Sequence, residues 1–328
     1  MHINFLKATN INIEKWWKHN FSNRELKSIS LLPGGQSNLC YQINNELVLK
    51  IYKPKYEYAV GNQEAHFKVC SQFQSSLNSS GFTPKVIEVY PKDELLQASA
   101  MLMEYIEGED LSKVLAFTND ESTKYSTGKK MGEMLRVIHQ TQTIPNRKYN
   151  TQKLIDIARN KLFEAIRKGF IPTHIQNLSE QFISNYKSKV ITEDLVLVHG
   201  DAHLENFIKQ DNELFIVDFD TCSMGLSFFE LSILLHLAFM PANLVAEELE
   251  VYYPNSSMLT LLKGIINSYP KIMPLKYLPE IKLIALVEIL QRFNFNEFSK
   301  NKLTHIERAT QMFEQIFIKN SLKNIQPI

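Results

Sequence analysis

The chain has 328 residues, which is enough for two lobes or domains, and its 36 basic and 35 acidic side chains nearly cancel. This balance excludes a strong electrostatic attraction to nucleic acid or to an anionic membrane surface. The three widely spaced cysteines favour neither a zinc site nor a disulfide framework, and they suit a reducing cytoplasm.

The N-terminal third combines one predicted helix with several short apolar runs. Residues 1–28 show no signal-peptide pattern, and they contain Trp16 and Trp17 in a predicted helix. We expect this helix to cover a sheet, with membrane contact as the alternative. Four apolar runs then alternate with turn signals and predict a small antiparallel sheet: ISLLPGGQSNLCYQI, ELVLKIYKP, KVIEVY and SAMLMEYI. A helical segment separates the second run from the third.

After residues 108–110 the pattern becomes mostly helical. In the segment STGKKMGEMLRVIHQ, apolar side chains recur on one helical face: Met131, Met134, Leu135 and Ile138. The largest helical block runs from about Met258 to Ile318, and no stretch reaches the roughly 18 uncharged apolar residues of a membrane-spanning helix. The sequence therefore predicts an α+β chain with a small sheet lobe followed by a helical lobe.

The run LVHGDAHLENFIKQDNELFIVDFD, residues 197–220, carries the strongest chemical pattern. Its apolar start predicts a buried strand, its polar middle predicts a tight loop, and LFIV predicts a second strand that ends at Asp218. Asp201 and Asp218 thus lie at strand ends, with Asn206 between them. Phosphoryl transfer needs this order: a base for the attacking hydroxyl, an amide on Mg²⁺, and a carboxylate linking Mg²⁺ to the phosphates. The alternative is a polar loop closed by Asx turns, with Asp218 capping a strand.

The same run resembles the catalytic core of the aminoglycoside phosphotransferase and choline kinase superfamily. The superfamily string H-G-D-x-x-x-x-N matches residues 199–206, and Asp218 stands where protein kinases have the D-F-G aspartate. The resemblance implies a bilobal protein kinase-like fold, with a small antiparallel-sheet lobe and a mostly helical lobe. The implied division is a nucleotide-binding lobe at 1–103, a hinge at 104–110 and a catalytic and acceptor-binding lobe at 111–328.

The resemblance also implies an enzyme that transfers the γ-phosphoryl group of ATP or GTP to a hydroxyl group with the help of Mg²⁺. Asp201 would orient the acceptor hydroxyl and accept its proton, while Asn206 and Asp218 would hold the Mg²⁺. His199 would support the loop through hydrogen bonds. For His203, loop packing or contact with the substrate is favoured over metal ligation, because Mg²⁺ prefers oxygen ligands.

The predicted sheet contains a candidate phosphate loop. The string G-G-Q-S-N-L-C-Y resembles the nucleotide loop of the superfamily, which implies phosphate contacts at Gly34, Gly35 and Ser37. Glycines there let backbone N–H groups approach a triphosphate. An ordinary hairpin turn is the alternative.

A lysine at the end of the run ELVLK is a second candidate for phosphate binding. Lys50 could place its ammonium over the α- and β-phosphates, whereas the alternative is a solvated lysine at a strand end. Its partner would be Glu64, which shares a helical stripe with Val60 and Phe67 and should point inward. Glu57 lies on nearly the same stripe and competes for this role, and a glutamate at the rim of an amphipathic helix is the remaining alternative.

The segment MLMEYIEGEDL resembles the hinge of the superfamily. By that resemblance Glu104 would offer its carbonyl to adenine, Ile106 would offer its N–H, and Met103 would flank the base. The apolar strand in front of these residues is what a buried adenine slot requires. An edge strand followed by a turn is the alternative.

Several residues near the motif are candidates for contact with the acceptor: His203, Glu205 and Asp220. Asp220 replaces the glycine of D-F-G, and its alternative role is a second acidic group near the metal. Glu230 stands where superfamily members commonly have an aspartate, and it could do the same structural work with one extra methylene. Glu288 could face a cationic acceptor, although a solvated helix face is the simpler interpretation.

The favoured hypothesis is a cytoplasmic small-molecule kinase that acts on an antibiotic, an amino sugar or an amino alcohol, without nucleic-acid or membrane partners. A protein Ser/Thr kinase of the bacterial stress-response type is the first alternative, because its H-G-D-x-H-x-x-N string is close to the one here. A nucleotide-binding pseudokinase that acts as an interaction protein is the second alternative. The presence of Lys50, Asp201, Asn206 and Asp218 gives no reason to expect lost catalysis.

Overall fold

The computed structural model describes residues 12–32, 38–52, 63–116, 118, 120–239, 255–294 and 302–324. In chain order the strands are β1 (Ile29–Leu31), β2 (Asn38–Ile43), β3 (Leu47–Tyr52), β4 (Val86–Asp93), β5 (Ala98–Glu104), β6 (Glu109–Asp110), β7 (Thr143–Asn150), β8 (Val190–Val198), β9 (Phe207–Gln210), β10 (Glu213–Ile216) and β11 (Ser223–Gly225). The α-helices are α1 (12–20), α2 (Gln63–Ser76), α3 (Leu111–Ala116), α4 (Glu121–Thr141), α5 (Gln152–Lys168), α6 (Thr173–Asn185), α7 (Leu231–Phe239), α8 (Asn255–Ser268), α9 (Leu278–Phe293) and α10 (Lys302–Phe313).

The chain forms two compact units. The first contains Met1–Gly108 and Ile208–Thr221, and the second contains Glu109–Phe207 and Cys222–Ile328. Ile208–Thr221 therefore groups with the first unit, although it lies inside the lobe predicted for residues 111–328. In this segment β9 and β10 are neighbouring strands, joined by a turn in which Asp211 has a φ of 51°. The sequence analysis identified β10 but not β9.

A five-stranded sheet forms the centre of the first unit. Its strand order is β1-β2-β3-β5-β4, and every neighbouring pair is antiparallel. The tight β2–β3 connection uses Asn44 and Asn45 with positive φ, which asparagine tolerates better than most residues. The small antiparallel sheet predicted from the sequence is thus confirmed.

Helix α1 covers one face of this sheet. Trp16 and Trp17 are completely or almost completely buried, and they pack in one cluster with alternate residues of β2 and β3. The apolar alternation of β3 sends Leu47, Leu49 and Ile51 to this side. The expectation that the tryptophan pair covers the sheet is confirmed.

The opposite face of β3 carries Val48, Lys50 and Tyr52. Val48 packs in a second cluster with Phe67 of α2 and with methionines of β5. The two-residue period of a strand therefore places Lys50 on the face that α2 covers. Lys50 lies inside β3, two residues before its end, rather than at the end of the strand.

The second unit is mostly helical, as predicted. The apolar face expected for α4 is buried, with Met131, Met134, Leu135 and Ile138 at most 6% exposed. The unit also contains an antiparallel sheet of order β11-β8-β7, which the sequence analysis did not predict. In the described residues no helix is both long and apolar enough to span a membrane.

Helices α4 and α8 approach each other closely through glycines. A Cβ atom at Gly128 would meet the carbonyl oxygen of Leu261 well inside van der Waals contact, and one at Gly264 would meet the carbonyl oxygen of Tyr125. The two backbones can come this close only because neither glycine has a side chain. This contact holds the middle of α4 in the second unit.

Candidate active site

The H-G-D loop follows directly on β8 in the second unit. Gly200 has a φ of 79°, a left-handed conformation that glycine adopts without strain. His199 is fully buried, and its Nδ1 accepts a hydrogen bond from the backbone N–H of Asp201 at 3.3 Å. The imidazole therefore supports the loop through a hydrogen bond, the role that the resemblance implied.

Asp201 and Asn206 contact each other across this loop. The Asn206 amide nitrogen donates to the backbone oxygen of Asp201 at 2.8 Å and lies 3.4 Å from Asp201 Oδ2. Asn206 is 7% exposed, whereas one third of the Asp201 side chain is exposed. The Asn206 amide nitrogen is thus engaged in the loop, which leaves the amide oxygen as the atom for the predicted metal contact.

The imidazole of His203 lies beside the predicted base. Its Nε2 is 3.4 Å from Asp201 Oδ2 and 3.2 Å from the Asn206 amide nitrogen, and its Nδ1 is 3.7 Å from Glu205 Oε2. The Glu205 side chain is mostly exposed. The structure thus brings together the four residues of this loop that the sequence analysis singled out.

Glu230 binds the beginning of the same loop from the short 3₁₀ turn Ser227–Glu230. Its carboxylate is buried and accepts the backbone N–H groups of His199 and Gly200. Glu230 therefore supports the loop through hydrogen bonds, which is the structural role that the sequence analysis suggested for it.

Two charged residues of α9 affect the electrostatics of Asp201. Glu288 and Arg292 lie one helical turn apart. Burial raises the pKa of the Glu288 carboxyl and lowers the pKa of the Arg292 guanidinium, and the charge of Asp201 acts on both groups. Sequence reasoning considered Glu288 and missed Arg292, because an arginine near the end of a helix is common at the surface.

The first unit contains a second cluster of charged residues around Lys50. The buried ammonium lies 2.7 Å from Asp218 Oδ1 and 2.7 Å from Asp220 Oδ1. Burial acts to lower the pKa of Lys50, but the negative charges of Asp220 and Asp218 outweigh it and raise the pKa well above the usual lysine value. Lys50 is therefore a cation held between two carboxylates.

Asp220 is the more buried of the two carboxylates. Its side chain is 17% exposed, against 44% for Asp218. Besides Lys50, it accepts a hydrogen bond from the Tyr52 hydroxyl at 2.7 Å and another from the Asn38 amide. These contacts within its own unit favour an anchoring role over the acceptor contact suggested by the sequence. The sequence analysis missed Tyr52, although strand alternation places it on the same face as Lys50.

Asp218 has an unusual backbone conformation. Its φ of 65° lies in the left-handed region, where a residue other than glycine carries strain of order 1–3 kcal/mol. The 2.7 Å hydrogen bond from Lys50 to Oδ1 fixes its side chain. Strain of this kind collects at functional sites, where surrounding contacts hold it in place.

Some predicted nucleotide contacts lie outside the described residues. These are Gly34, Gly35 and Ser37 of the phosphate loop, together with Glu57. Glu64 belongs to α2, but its side chain also lies outside the described part of the chain. The roles proposed for all of them stay predictions.

The backbone of the predicted hinge is fixed by the sheet. Met103 is 8% exposed on β5, the Glu104 N–H donates to the Lys85 carbonyl at 3.0 Å, and the Tyr105 N–H donates to the Glu46 carbonyl at 2.8 Å. Ile106 follows directly. The carbonyl of Glu104 and the N–H of Ile106, which the resemblance assigns to adenine, thus belong to a segment with an ordered backbone.

The predicted magnesium ligands fit the chemistry of that ion. Among the described residues, no group of three or more His, Cys, Asp or Glu side chains is arranged to hold a metal. Asn206 and Asp218 would instead supply one amide oxygen and one carboxylate, and Mg²⁺ usually takes only one or two carboxylates and completes its shell with water and phosphate oxygens.

Residues 28–255 match a family model described as the phosphotransferase enzyme family. This chain belongs to that family. The match covers more than half of the phosphotransferase and contains the H-G-D loop and the cluster around Lys50. The superfamily predicted from the H-G-D string is therefore confirmed. No curated protein sequence matches the chain.

Solved structures show the same fold at low sequence identity. The GDP complex of aminoglycoside 2′-phosphotransferase-IIIa has a TM-score of 0.60 and 13% identity, with 94% of this chain and 99% of that chain covered. Choline kinase from Cryptosporidium parvum has a TM-score of 0.57 and 14% identity, with 98% and 97% covered. The streptomycin–ATP complex of APH(2″)-IIa has a TM-score of 0.55 and 14% identity, with 92% and 97% covered. The predicted protein kinase-like fold is thus confirmed.

Proposed function

We propose that this phosphotransferase moves the γ-phosphoryl group of ATP or GTP to a hydroxyl group of a small amine-bearing molecule, such as an antibiotic, an amino sugar or an amino alcohol. The observation that carries the proposal is the partly buried contact of Lys50 with Asp218 at 2.7 Å, between residues 168 positions apart. A lysine next to a metal-binding carboxylate is the arrangement that a magnesium nucleotide needs. Relatives in fold bind GDP or ATP, and we place the protein in the cytoplasm, where both donors occur.

Lys50 and Asp218 would serve the donor nucleotide. The Lys50 ammonium neutralises the phosphates that are not transferred, and Asp218 and Asn206 hold the metal through oxygen atoms. When bound, Mg²⁺ supplies charge neutralisation at the phosphate oxygens. The raised pKa of Lys50 keeps it cationic throughout the neutral pH range.

Asp201 would act on the acceptor. Its partly exposed carboxylate orients the hydroxyl group and accepts the proton as the bond to phosphorus forms. The Asn206 amide holds Asp201 from one side, while His199 holds its backbone. Because the transition state is loose, fixed position and charge supply most of the rate.

The charges near Asp201 support a cationic acceptor. Asp201 and the mostly exposed Glu205 present negative charge from one loop, whereas the charge of Glu288 on α9 is offset by Arg292 one turn away. An amine-bearing alcohol would gain from these charges, whereas an anionic acceptor would be repelled.

The decisive test compares purified wild-type protein with Asp201→Asn. Transfer from Mg²⁺–ATP or Mg²⁺–GTP to a panel of amino sugars, amino alcohols and macrolides is measured by mass spectrometry. We expect kcat to fall about 10²- to 10⁴-fold in Asp201→Asn, because a general base contributes that much. The control is Asp156→Asn, which makes the same chemical change at an exposed position on α5.

Each alternative function predicts a different result in the same assay. Transfer to a generic protein acceptor, without transfer to any small molecule, would favour the protein kinase. Thermal stabilisation by nucleotide without turnover would favour the pseudokinase. Equal turnover in wild type and Asp201→Asn would exclude catalysis by this loop.

A further inference from the structure

A chain of three buried side chains leads from Tyr269, the residue that follows α8, to the H-G-D loop. His139, in the last turn of α4, lies between Glu230 and Tyr269. Its Nε2 is 3.3 Å from Glu230 Oε1, and its Nδ1 is 2.9 Å from the Tyr269 hydroxyl. His139 and Glu230 are 1% exposed and Tyr269 is 6% exposed, so these bonds are shielded from water.

The donors and acceptors of this chain are complementary. Burial raises the pKa of Tyr269 to about 12, so the hydroxyl keeps its proton and can donate to Nδ1. Burial acts to raise the pKa of Glu230, but its hydrogen bonds and the adjacent histidines outweigh burial and lower the pKa, so the carboxylate accepts from Nε2. A neutral ring with its proton on Nε2 satisfies both bonds, and so does a ring that donates at both nitrogens, because the hydroxyl can also accept.

The far end of the chain fixes the backbone in front of Asp201. The Glu230 carboxylate accepts the consecutive N–H groups of His199 and Gly200, the latter at 3.2 Å. Gly200 has the permissive left-handed backbone, which glycine can leave at little cost. Without these two bonds, the backbone in front of Asp201 would lose two of the hydrogen bonds that hold it.

We propose that Tyr269 and His139 are positioning residues for phosphoryl transfer, and that they hold the Asp201 loop through Glu230. The proposal rests on the proposed function, in which Asp201 is the base. Tyr269 lies beyond residues 28–255, the part of the chain that matches the family model. The helical segment after that match therefore contributes to the geometry of the catalytic loop.

The test compares two tyrosine hydroxyl deletions, one at Tyr269 directly after α8 and one at Tyr125 in α4. Tyr269→Phe removes the hydroxyl that holds His139 and keeps the aromatic ring. Tyr125→Phe is the matched control, because the Tyr125 hydroxyl of α4 accepts from the Asn267 amide of α8 at 2.9 Å. Each variant loses one hydrogen bond between α4 and the region of α8, but only Tyr269→Phe removes the bond that holds the His139 ring next to Glu230.

We expect Tyr269→Phe to lower kcat by about tenfold or more with little change in the KM for nucleotide, since a small displacement of a catalytic group affects the chemical step. Tyr125→Phe should keep the wild-type kcat. His139→Gln retains a donor for Glu230, whereas His139→Leu does not, so kcat should decrease from wild type to His139→Gln to His139→Leu.

Amide hydrogen exchange at His199 and Gly200 gives a readout that is independent of activity. Exchange at these two amides should be faster in Tyr269→Phe than in Tyr125→Phe. Wild-type kcat in Tyr269→Phe, or exchange rates that equal those of Tyr125→Phe, would overturn the proposal. If the wild-type protein phosphorylates no acceptor, the proposed function fails, and the exchange comparison alone still decides whether Tyr269 and His139 hold the loop.

Discussion

Replacing Asp220 by asparagine tests how the first unit holds its buried lysine. The substitution removes one negative charge and keeps the shape of the side chain. In the wild type, Lys50 lies 2.7 Å from carboxylate oxygens of both Asp220 and Asp218. In Asp220→Asn, Asp218 is the one charged partner left for Lys50 among the described side chains, so the first unit should be less stable.

The size of the effect depends on burial. Leaving a buried charge without any partner costs about 3–5 kcal/mol, whereas losing one charge-assisted hydrogen bond costs about 1.5–3 kcal/mol. Because Asp218 stays in place, we expect the free energy of unfolding to fall by about 2 kcal/mol. Asp218→Asn should cost less, since Asp218 is 44% exposed and water screens its attraction for the lysine. Asp218→Asn should, however, reduce phosphoryl transfer more than Asp220→Asn does, because Asp218 is the proposed metal ligand.

Urea unfolding followed by tryptophan fluorescence measures this difference. The chain has two tryptophans, Trp16 and Trp17, and both are buried in the first unit, so the signal reports on that unit. Tyr52→Phe removes one neutral donor to Asp220, and its expected cost is about 1 kcal/mol. If Asp218→Asn destabilises the first unit as much as Asp220→Asn does, the assignment of Asp220 as the principal anchor of Lys50 is wrong.

Two further predictions concern the second unit. Gly128→Ala should lower the free energy of unfolding of this unit by about 1–2 kcal/mol, because overpacking against a backbone oxygen outweighs the better helix propensity of alanine. Urea unfolding followed by far-UV circular dichroism measures this change. The control Ser126→Ala, on the exposed side of α4, should be nearly neutral. Glu230→Gln should destabilise the protein at neutral pH. Since the folded pKa of Glu230 lies below its usual value, its contribution is complete above the unfolded pKa of about 4.3 and is lost as pH falls through the folded pKa. The difference in stability between wild type and Glu230→Gln should therefore shrink on acidification, and a constant difference would contradict the assignment.

The sequence revealed those parts of the candidate site that follow from local patterns. Asp201 and Asn206 lie five residues apart in one loop, and their residue types and spacing are enough to predict their proximity. The inward position of Trp16 could likewise be predicted from the apolar pattern of one helix and one sheet. The sheet of the second unit could not be predicted in this way. Its strand β7 is mostly exposed and contains Pro145, so this strand lacks the alternation typical of a half-buried strand.

Contacts between distant residues had no local signature. Tyr52 and Asp220 are 168 positions apart, and His139 and Tyr269 are 130 positions apart. A single tyrosine or histidine in an apolar segment is usually a packing residue, so the residue type alone does not predict a hydrogen bond. The strand register explains the position of Asn38. It lies directly opposite Tyr52 on the neighbouring strand, so both side chains reach the carboxylate of Asp220.

The charge balance around Lys50 explains why one carboxylate would not be sufficient. The sequence analysis sought a single counter-ion for this lysine and weighed Glu57 against Glu64. The described residues place Asp218 and Asp220 against Lys50, while a pairing with Glu57 or Glu64 stays a prediction. One lysine and two carboxylates have a net charge of −1. A neutral pair would offer a divalent cation no net attraction, whereas this cluster does, and the addition of Mg²⁺ would change its net charge to +1. That sign is the one required to hold a triphosphate.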